Sequence, residues 1–142
     1  MTDNDGMPGD LVVAPARTVL IVEDSEHTAA PLEMAAAHIP GVAVVVVTSG
    51  VDALRILTGA SPTVHVVITD LNMPRMDGFE LIARIRADTR FGRLPIIVVS
   101  ADTDPATPER IGRLGVDAFF AKPYSPAQVC RKLEQLLDVS TH

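Results

Sequence analysis

The chain has 142 residues and a formal net charge of −6, and hydrophobic residues make up 47% of it. This length fits one domain with a substantial core. The acidic balance argues against generic binding to nucleic acid or to an anionic membrane. The single cysteine, Cys130, excludes an intrachain disulfide and fits a reducing compartment. No apolar run is long enough to span a membrane and no signal peptide is visible, so we expect a cytoplasmic protein.

The start of the chain leads into a first strand that ends in two carboxylates. Residues 1–16 are rich in Asp, Gly and Pro, and we expect them to form a mobile acidic tail. The apolar run from Thr18 to Val22 predicts a buried strand, and Glu23 and Asp24 follow it directly. Adjacent carboxylates repel each other unless a cation or a proton joins them. The alternative is that Asp24 or Ser25 only caps the next helix.

The first helix is predicted over residues 26–38, where apolar residues recur at helical spacing. Pro31 conflicts with a start at residue 26, because a proline deep in a helix costs a hydrogen bond. We therefore expect the helix to begin late, near Thr28 or Ala30, so that Pro31 lies in the first turn.

The remaining predicted elements continue the alternation of strand and helix. They are strands at 42–47, 64–69, 96–99 and 118–121, and helices at 51–57, 78–87, 108–114 and 125–138. The fourth helix is short and poorly amphipathic, so we expect it to be the loosest. Arg84 and Arg86 on the third helix are expected to be solvated. Five strands alternating with five helices predict a doubly wound α/β fold with a parallel sheet.

Polar side chains stand at the carboxyl ends of four of these strands. Glu23 and Asp24 follow the first strand, Asp70 the third and Lys122 the fifth, while Ser100 ends the fourth. The carboxyl edge of a parallel sheet is where such folds bind ligands, although Asp70 taken alone fits a simple loop cap equally well. Three carboxylates form a site too negative to stand empty, and their oxygens suit a hard cation such as Mg²⁺. A hydroxyl and an ammonium opposite them suit the oxygens of a phosphoryl group.

The chain contains no motif that would bind the phosphoryl donor ATP. Walker A, dinucleotide-binding and nucleophilic-serine motifs are all absent from the sequence. The phosphoryl donor must therefore come from outside the chain.

Four short motifs together resemble the receiver domain of response regulators in two-component signalling, the CheY-like family. They are Val22-Glu23-Asp24, the stretch Asp-Leu-Asn-Met-Pro-Arg-Met-Asp-Gly at 70–78, Val99-Ser100-Ala101, and Ala121-Lys122-Pro123-Tyr124. The resemblance covers residues 17–138, which we take as the receiver domain, with 139–142 as a C-terminal tail. It implies a flavodoxin-like (βα)5 fold with strand order 2-1-3-4-5.

The resemblance also implies a phosphorylation site and a metal site. Asp70 would accept a phosphoryl group from a histidine kinase or a histidine phosphotransfer protein. Asp24, Asp70 and the backbone carbonyl of Asn72 would coordinate Mg²⁺ or Mn²⁺, with Glu23 contributing through water. Lys122 would contact the phosphoryl group.

The remaining implied roles concern the switch that follows phosphorylation. Ser100 and Phe119 would remodel the surface formed by the fourth strand, fourth helix and fifth strand, and the Lys122–Pro123 peptide bond would be cis. This chain departs from the usual pattern in having Ser100 in place of Thr, and Phe119 where Tyr is often found. Because Phe119 has no hydroxyl to keep in water, we expect its inward position to be less costly.

The sequence is compatible with several functions. We expect a stand-alone single-domain regulator or relay, since only about four residues follow the last helix; the alternative is a receiver excised from a longer hybrid kinase. A phosphatase of the haloacid-dehalogenase type also forms an aspartyl phosphate, but it needs an acidic residue where Asn72 stands. A degenerate receiver that serves only as an interaction module would lack part of the acidic pair, Asp70 or Lys122, and none is missing. We therefore expect a phosphoacceptor switch rather than an enzyme, one that assists its own phosphorylation and dephosphorylation.

Overall fold

A computed structural model describes residues 16–140 of the chain, with side chains as far as residue 138. The predicted tail therefore lies outside the described residues except for residue 16, and the predicted segment 139–142 is described only as helix backbone to residue 140. Within the described range five strands alternate with five α-helices, and a short 3-10 helix, Thr89–Phe91, follows the third α-helix. The elements are β1 (Arg17–Val22), α1 (Glu26–Ala37), β2 (Val42–Val47), α2 (Gly50–Thr58), β3 (Val64–Thr69), α3 (Gly78–Ala87), β4 (Ile96–Ser100), α4 (Thr107–Arg113), β5 (Ala118–Ala121) and α5 (Pro126–Ser140). No helix in this range combines the length and the apolarity needed to cross a membrane.

The strands form one parallel sheet in the order β2-β1-β3-β4-β5, which confirms the predicted topology. Alternate side chains of each strand point to opposite faces. On β1, Leu20 and Val22 pack toward α2, α3 and α4, whereas Val19 and Ile21 pack toward α1 and α5. Because helices cover both faces, the strands are apolar on both sides rather than alternating with polar residues.

The first helix begins earlier than the sequence predicts. Ser25 is its N-cap, with the Ser25 hydroxyl accepting a hydrogen bond from the Thr28 amide at 3.2 Å, and Pro31 lies inside the helix. The predicted late start was wrong, because the prediction gave the hydrogen bond lost at Pro31 more importance than the N-cap that Ser25 provides. Pro31 and His27, whose carbonyl loses its usual donor, are both exposed. The missing bond therefore falls on the solvent side of the helix, where it costs least.

Arg86 is not the solvated side chain that its place on α3 suggested. Its guanidinium donates hydrogen bonds to three backbone carbonyls, those of Phe91 at 2.9 Å, Gly115 at 2.9 Å and Leu114 at 3.2 Å. The side chain is only 17% exposed, and burial lowers the pKa of Arg86, partly offset by the nearby Asp117 carboxylate. Arg86 thus ties the end of α3 to the turn that follows α4.

We predict that Arg86→Gln lowers the free energy of unfolding by about 2–4 kcal/mol, because three backbone carbonyls lose the donors of a largely buried charged side chain. Arg84→Gln is the matched control, since Arg84 is an exposed arginine of the same helix that pairs with Glu80. Its loss should cost less than about 1 kcal/mol. Urea unfolding of both variants measures the difference, and equal losses would show that Arg86 has no structural role.

Candidate functional site

The ladder of the sheet brings three charged side chains to one edge. Glu23, Asp70 and Lys122 each follow directly after a strand, β1, β3 and β5 respectively. Their backbone amides extend the strand pairing: Glu23 donates to Val47 at 3.1 Å, Asp70 to Val22 at 3.1 Å, and Lys122 to Ser100 at 2.8 Å. The positions of these side chains are therefore set by backbone hydrogen bonds of the sheet.

Lys122 joins the two buried carboxylates. Its ammonium lies 2.7 Å from Asp70 Oδ2 and 2.8 Å from Glu23 Oε1. Burial alone lowers the pKa of Lys122, but the hydrogen bonds to Asp70 and Glu23 outweigh it, so that its pKa is raised. The Lys122 ammonium therefore offsets the repulsion expected between the Glu23 and Asp70 carboxylates.

Asp70 is held through both of its carboxylate oxygens. While Oδ2 contacts Lys122, Oδ1 accepts hydrogen bonds from the backbone amides of Leu71 at 2.6 Å and Asn72 at 3.2 Å. The carboxylate therefore does cap the loop, as the simpler interpretation supposed, and it also faces the charged site. Asp70 is only 5% exposed, and a carboxylate bonded in this way has a fixed orientation.

The adjacent acidic residues differ in environment. Glu23 is buried, and burial is the main reason that its pKa is raised; Asp24 and Asp70 add to the rise and Lys122 partly offsets it. Asp24 and Asn72 are exposed at the rim. Within residues 16–140 no three carboxylate, imidazole or thiol side chains are grouped to form a metal site by themselves.

The donors at this edge nevertheless suit a hard cation. The set implied by the resemblance takes direct ligands from two carboxylates, Asp24 and Asp70, and from the Asn72 backbone carbonyl. All of these are oxygen atoms, which Mg²⁺ and Mn²⁺ prefer. The exposed Asp24 and Asn72 leave the rim of the site open to the solvent from which a cation would enter.

Ser100 and Phe119 lie on neighbouring strands beside this edge. Ser100 is fully buried, and its hydroxyl accepts a hydrogen bond from the Asp102 amide at 3.1 Å. Phe119 pairs in register with Val98 and packs, half-buried, against the core on the α4 side of the sheet. The Lys122–Pro123 peptide bond is cis, as is Ser61–Pro62.

An open, largely apolar cavity of about 490 Å³ adjoins Lys122. Its wall includes Thr28 and Pro31 of α1 and Tyr124 and Pro126 from the segment after β5. This grouping could not be predicted from the sequence, because the lining residues come from segments that are far apart in the chain.

The loop after Asp70 is pinned by a close backbone approach at Gly78. The Gly78 amide donates to the Leu71 carbonyl at 2.8 Å, and a Cβ at residue 78 would overlap the carbonyl oxygen of Asp70. Met73 and Met76 of this loop are buried, and Arg75 between them has a positive φ of 68°. The sequence indicated a turn at Gly78. Only the structure shows that the backbone of Asp70 and Leu71 lies too close to residue 78 to leave room for a side chain.

The combination of this sheet edge with these motifs is matched by a known family. The family model for the response regulator receiver domain matches residues 19–134. The chain belongs to this family. Chemotaxis protein CheY1 of Helicobacter pylori (strain J99 / ATCC 700824) is 32% identical over 119 residues, which is 84% of this chain and 95% of that protein.

Solved structures of receivers agree with the fold. A response regulator receiver protein from Pseudomonas putida superimposes with a TM-score of 0.74 at 32% identity, covering 89% of this chain and 99% of that one. The Mn²⁺-bound form of response regulator Rcp1 gives a TM-score of 0.71 at 22% identity, covering 87% and 88% of the two chains, and shows the shared receiver fold. The predicted family and fold class are therefore confirmed.

We predict that Gly78→Ala destabilises this receiver domain by about 1–3 kcal/mol, because the added methyl group must displace the backbone at Asp70 and Leu71. Gly112→Ala on α4 is the control, since a Cβ there meets nothing within 4 Å. That change should be neutral or stabilising by up to about 1 kcal/mol. Urea unfolding compares the two, and a stabilising Gly78→Ala would contradict the close approach.

Proposed function

We propose that Asp70 accepts a phosphoryl group from a histidine kinase or a histidine phosphotransfer protein, in a Mg²⁺-dependent reaction. The observation that carries this proposal is the buried Asp70 carboxylate, oriented by two backbone amides and placed 2.7 Å from the Lys122 ammonium. A nucleophilic carboxylate must be fixed in orientation and must have positive charge nearby to receive an anionic donor.

In this reaction an N–P bond of the donor is replaced by an O–P bond to Asp70. A carboxylate oxygen of Asp70 attacks the phosphorus of a phosphohistidine, and the new O–P bond forms as the donor's N–P bond breaks. The electron pair of that bond stays on the imidazole nitrogen, so no oxidant or reductant is needed. The Lys122 ammonium, already beside Asp70, stabilises the negative charge on the transferred group.

Four residues would hold the cation. Asp24, Asp70 and the backbone carbonyl of Asn72 would bind Mg²⁺ or Mn²⁺ directly, with Glu23 acting through water. When bound, the metal screens the charge of the phosphoryl donor. The Mn²⁺-bound form of Rcp1 supports this role for the shared fold.

Phosphorylation would switch the surface formed by β4, α4 and β5. A phosphoryl group adds negative charge and acceptor oxygens, which draw the Ser100 hydroxyl toward Asp70. Phe119 on the neighbouring strand would fill the space that Ser100 leaves. This remodelled surface would bind the downstream protein target.

The other interpretations fit the site less well. A haloacid-dehalogenase type of phosphatase lacks its acid, because Asn72 stands at that position. A degenerate receiver would not retain Asp70 and Lys122 in direct contact. A stand-alone regulator or relay and a receiver within a hybrid kinase share the proposed chemistry. The cytoplasmic location stays a prediction from the sequence.

We expect acetyl phosphate with Mg²⁺ to add one phosphoryl group to the wild-type protein and none to Asp70→Asn, as measured by intact-protein mass spectrometry. Asp77→Asn is the matched control in the same loop; Asp77 is exposed and caps α3, a role that asparagine can fill. A phosphorylated Asp70→Asn protein would refute the assignment of the acceptor.

We also expect Mg²⁺ to raise the melting temperature, because a ligand that binds only the folded state stabilises it by about 2.7 kcal/mol at a hundred times its dissociation constant. Asp24→Asn should lose most of this response and be at least as stable without metal, since it removes a charge beside Glu23. Asp104→Asn serves as a control outside the site. An undiminished response in Asp24→Asn would show that the cation binds elsewhere.

A further inference from the structure

Helix α4 is attached to the rest of the domain differently at its two ends. At its carboxyl end Arg86 holds the carbonyls of Leu114 and Gly115, at 3.2 and 2.9 Å. Gly115 has a positive φ of 78°, which lets the chain turn out of the helix there. Arg86 thereby fixes this end of α4 to α3, through hydrogen bonds that do not involve the charged site.

Asp102 connects the amino end of α4 to Ser100. The Asp102 amide donates to the Ser100 hydroxyl at 3.1 Å, and the Asp102 carboxylate oxygen Oδ1 accepts from the Thr107 hydroxyl at 3.1 Å. Thr107 is the first residue of α4 and is 4% exposed. The N-cap, Ala106, provides no side-chain hydrogen bond of its own. Asp102 is therefore the side chain that links the start of this short helix to the strand-end serine.

The Ser100 hydroxyl is suited to change partners. In the described part of the chain it accepts the Asp102 amide and donates no hydrogen bond, although it is fully buried. An acceptor newly placed on Asp70 offers the hydroxyl proton a bond. A change of Ser100 to another staggered rotamer, made to reach that acceptor, moves its oxygen away from the Asp102 amide, because the staggered positions are about 120° apart.

We propose that Asp102 is the positioning residue that transmits the state of Ser100 to the first turn of α4. This inference rests on the proposed phosphorylation of Asp70. When Ser100 turns, the Asp102 backbone loses its anchor, and the carboxylate that holds Thr107 shifts with it. The amino end of α4 is released while Arg86 keeps the carboxyl end in place, so that the helix swings about its Arg86-held end.

A second route from the site to α4 competes with this one. The guanidinium of Arg110 on α4 stacks over the Phe79 ring, 3.7 Å from its centroid, and Phe79 follows the Gly78 that contacts the Asp70 backbone. A displacement of the loop after Asp70 would reach α4 through this stack. Phe79→Leu removes the stack and leaves Asp102 intact, so it separates the two routes.

The test is amide hydrogen exchange along α4, with and without beryllofluoride and Mg²⁺ as the phosphoryl analogue. Fluorine NMR registers the bound analogue independently of any change in α4. Asp102→Ala and Thr107→Val remove the link, whereas Asp102→Asn retains an acceptor oxygen for Thr107. Asp104→Ala is the matched control, since it removes a hydrogen bond at the same helix end, from the Ala106 amide to Asp104 Oδ1, but keeps the bonds of Asp102 to Ser100 and Thr107. Circular dichroism verifies that each variant is folded.

In the wild-type protein the analogue should speed exchange in the first turn of α4 about three- to ten-fold, and leave the amides of residues 114–116 unchanged. Asp102→Ala and Thr107→Val should exchange at the faster rate without the analogue and respond little to it. Asp102→Asn, Asp104→Ala and Phe79→Leu should respond as the wild type does.

A full response in Asp102→Ala, or a response lost in Phe79→Leu and kept in Asp102→Ala, would overturn the inference. Bound analogue with an unchanged α4 in the wild type would overturn it while leaving the proposed function standing. Failure of the wild type to bind the analogue would instead overturn the proposed function, and this inference with it.

Discussion

The contact between the Lys122 ammonium and the carboxylates of Glu23 and Asp70 is the interaction on which the site depends. It joins the ends of β1, β3 and β5 across the carboxyl edge of the sheet. Buried charges are tolerated only when they are paired and hydrogen-bonded, and each of these three groups is. Removal of the lysine would leave the buried carboxylates of Glu23 and Asp70 close together without a cation between them. The Lys122 ammonium thus offsets part of the negative charge of the two carboxylates.

Under the proposed function, this arrangement would also let a small chemical change have a large effect. A phosphoryl group on Asp70 adds negative charge beside an ammonium that already serves two carboxylates, so the existing hydrogen bonds must be redistributed. Groups that can change partners at low cost, such as the Ser100 hydroxyl, then respond first. The fixed backbone ladder, by contrast, has no alternative arrangement. Under the proposed function the response would therefore be directed to the β4–α4 segment, where α4 is short and its N-cap residue makes no side-chain hydrogen bond.

Much of the fold and site could be predicted because both follow from the order of the elements. Alternating strands and helices impose a parallel sheet, and a parallel sheet collects its strand ends at one edge. Glu23, Asp70, Ser100 and Lys122 could therefore be placed together without knowledge of any contact. The family resemblance supplied the strand order, which the structure confirms.

The features that escaped prediction depend on distances between segments that the sequence does not relate. Arg86 could not be told from Arg84 by helical spacing, because its partners are carbonyls 28 and 29 residues away and one in the 3-10 helix. The start of α1 was mispredicted because the rule against proline in a helix interior does not consider which side of the helix faces solvent. The link from Asp102 to Thr107 lies in a loop with no periodicity, so its geometry had to be observed.

The most direct test of the central claim is reduction of the phosphorylated protein with borohydride, which converts an aspartyl phosphate to homoserine at the modified position. Peptide mass mapping then locates the change. The account predicts homoserine at residue 70, formed only when Mg²⁺ and a phosphoryl donor have both been present. Homoserine at any other aspartate, or phosphate retained on a histidine or serine that borohydride does not reduce, would contradict it.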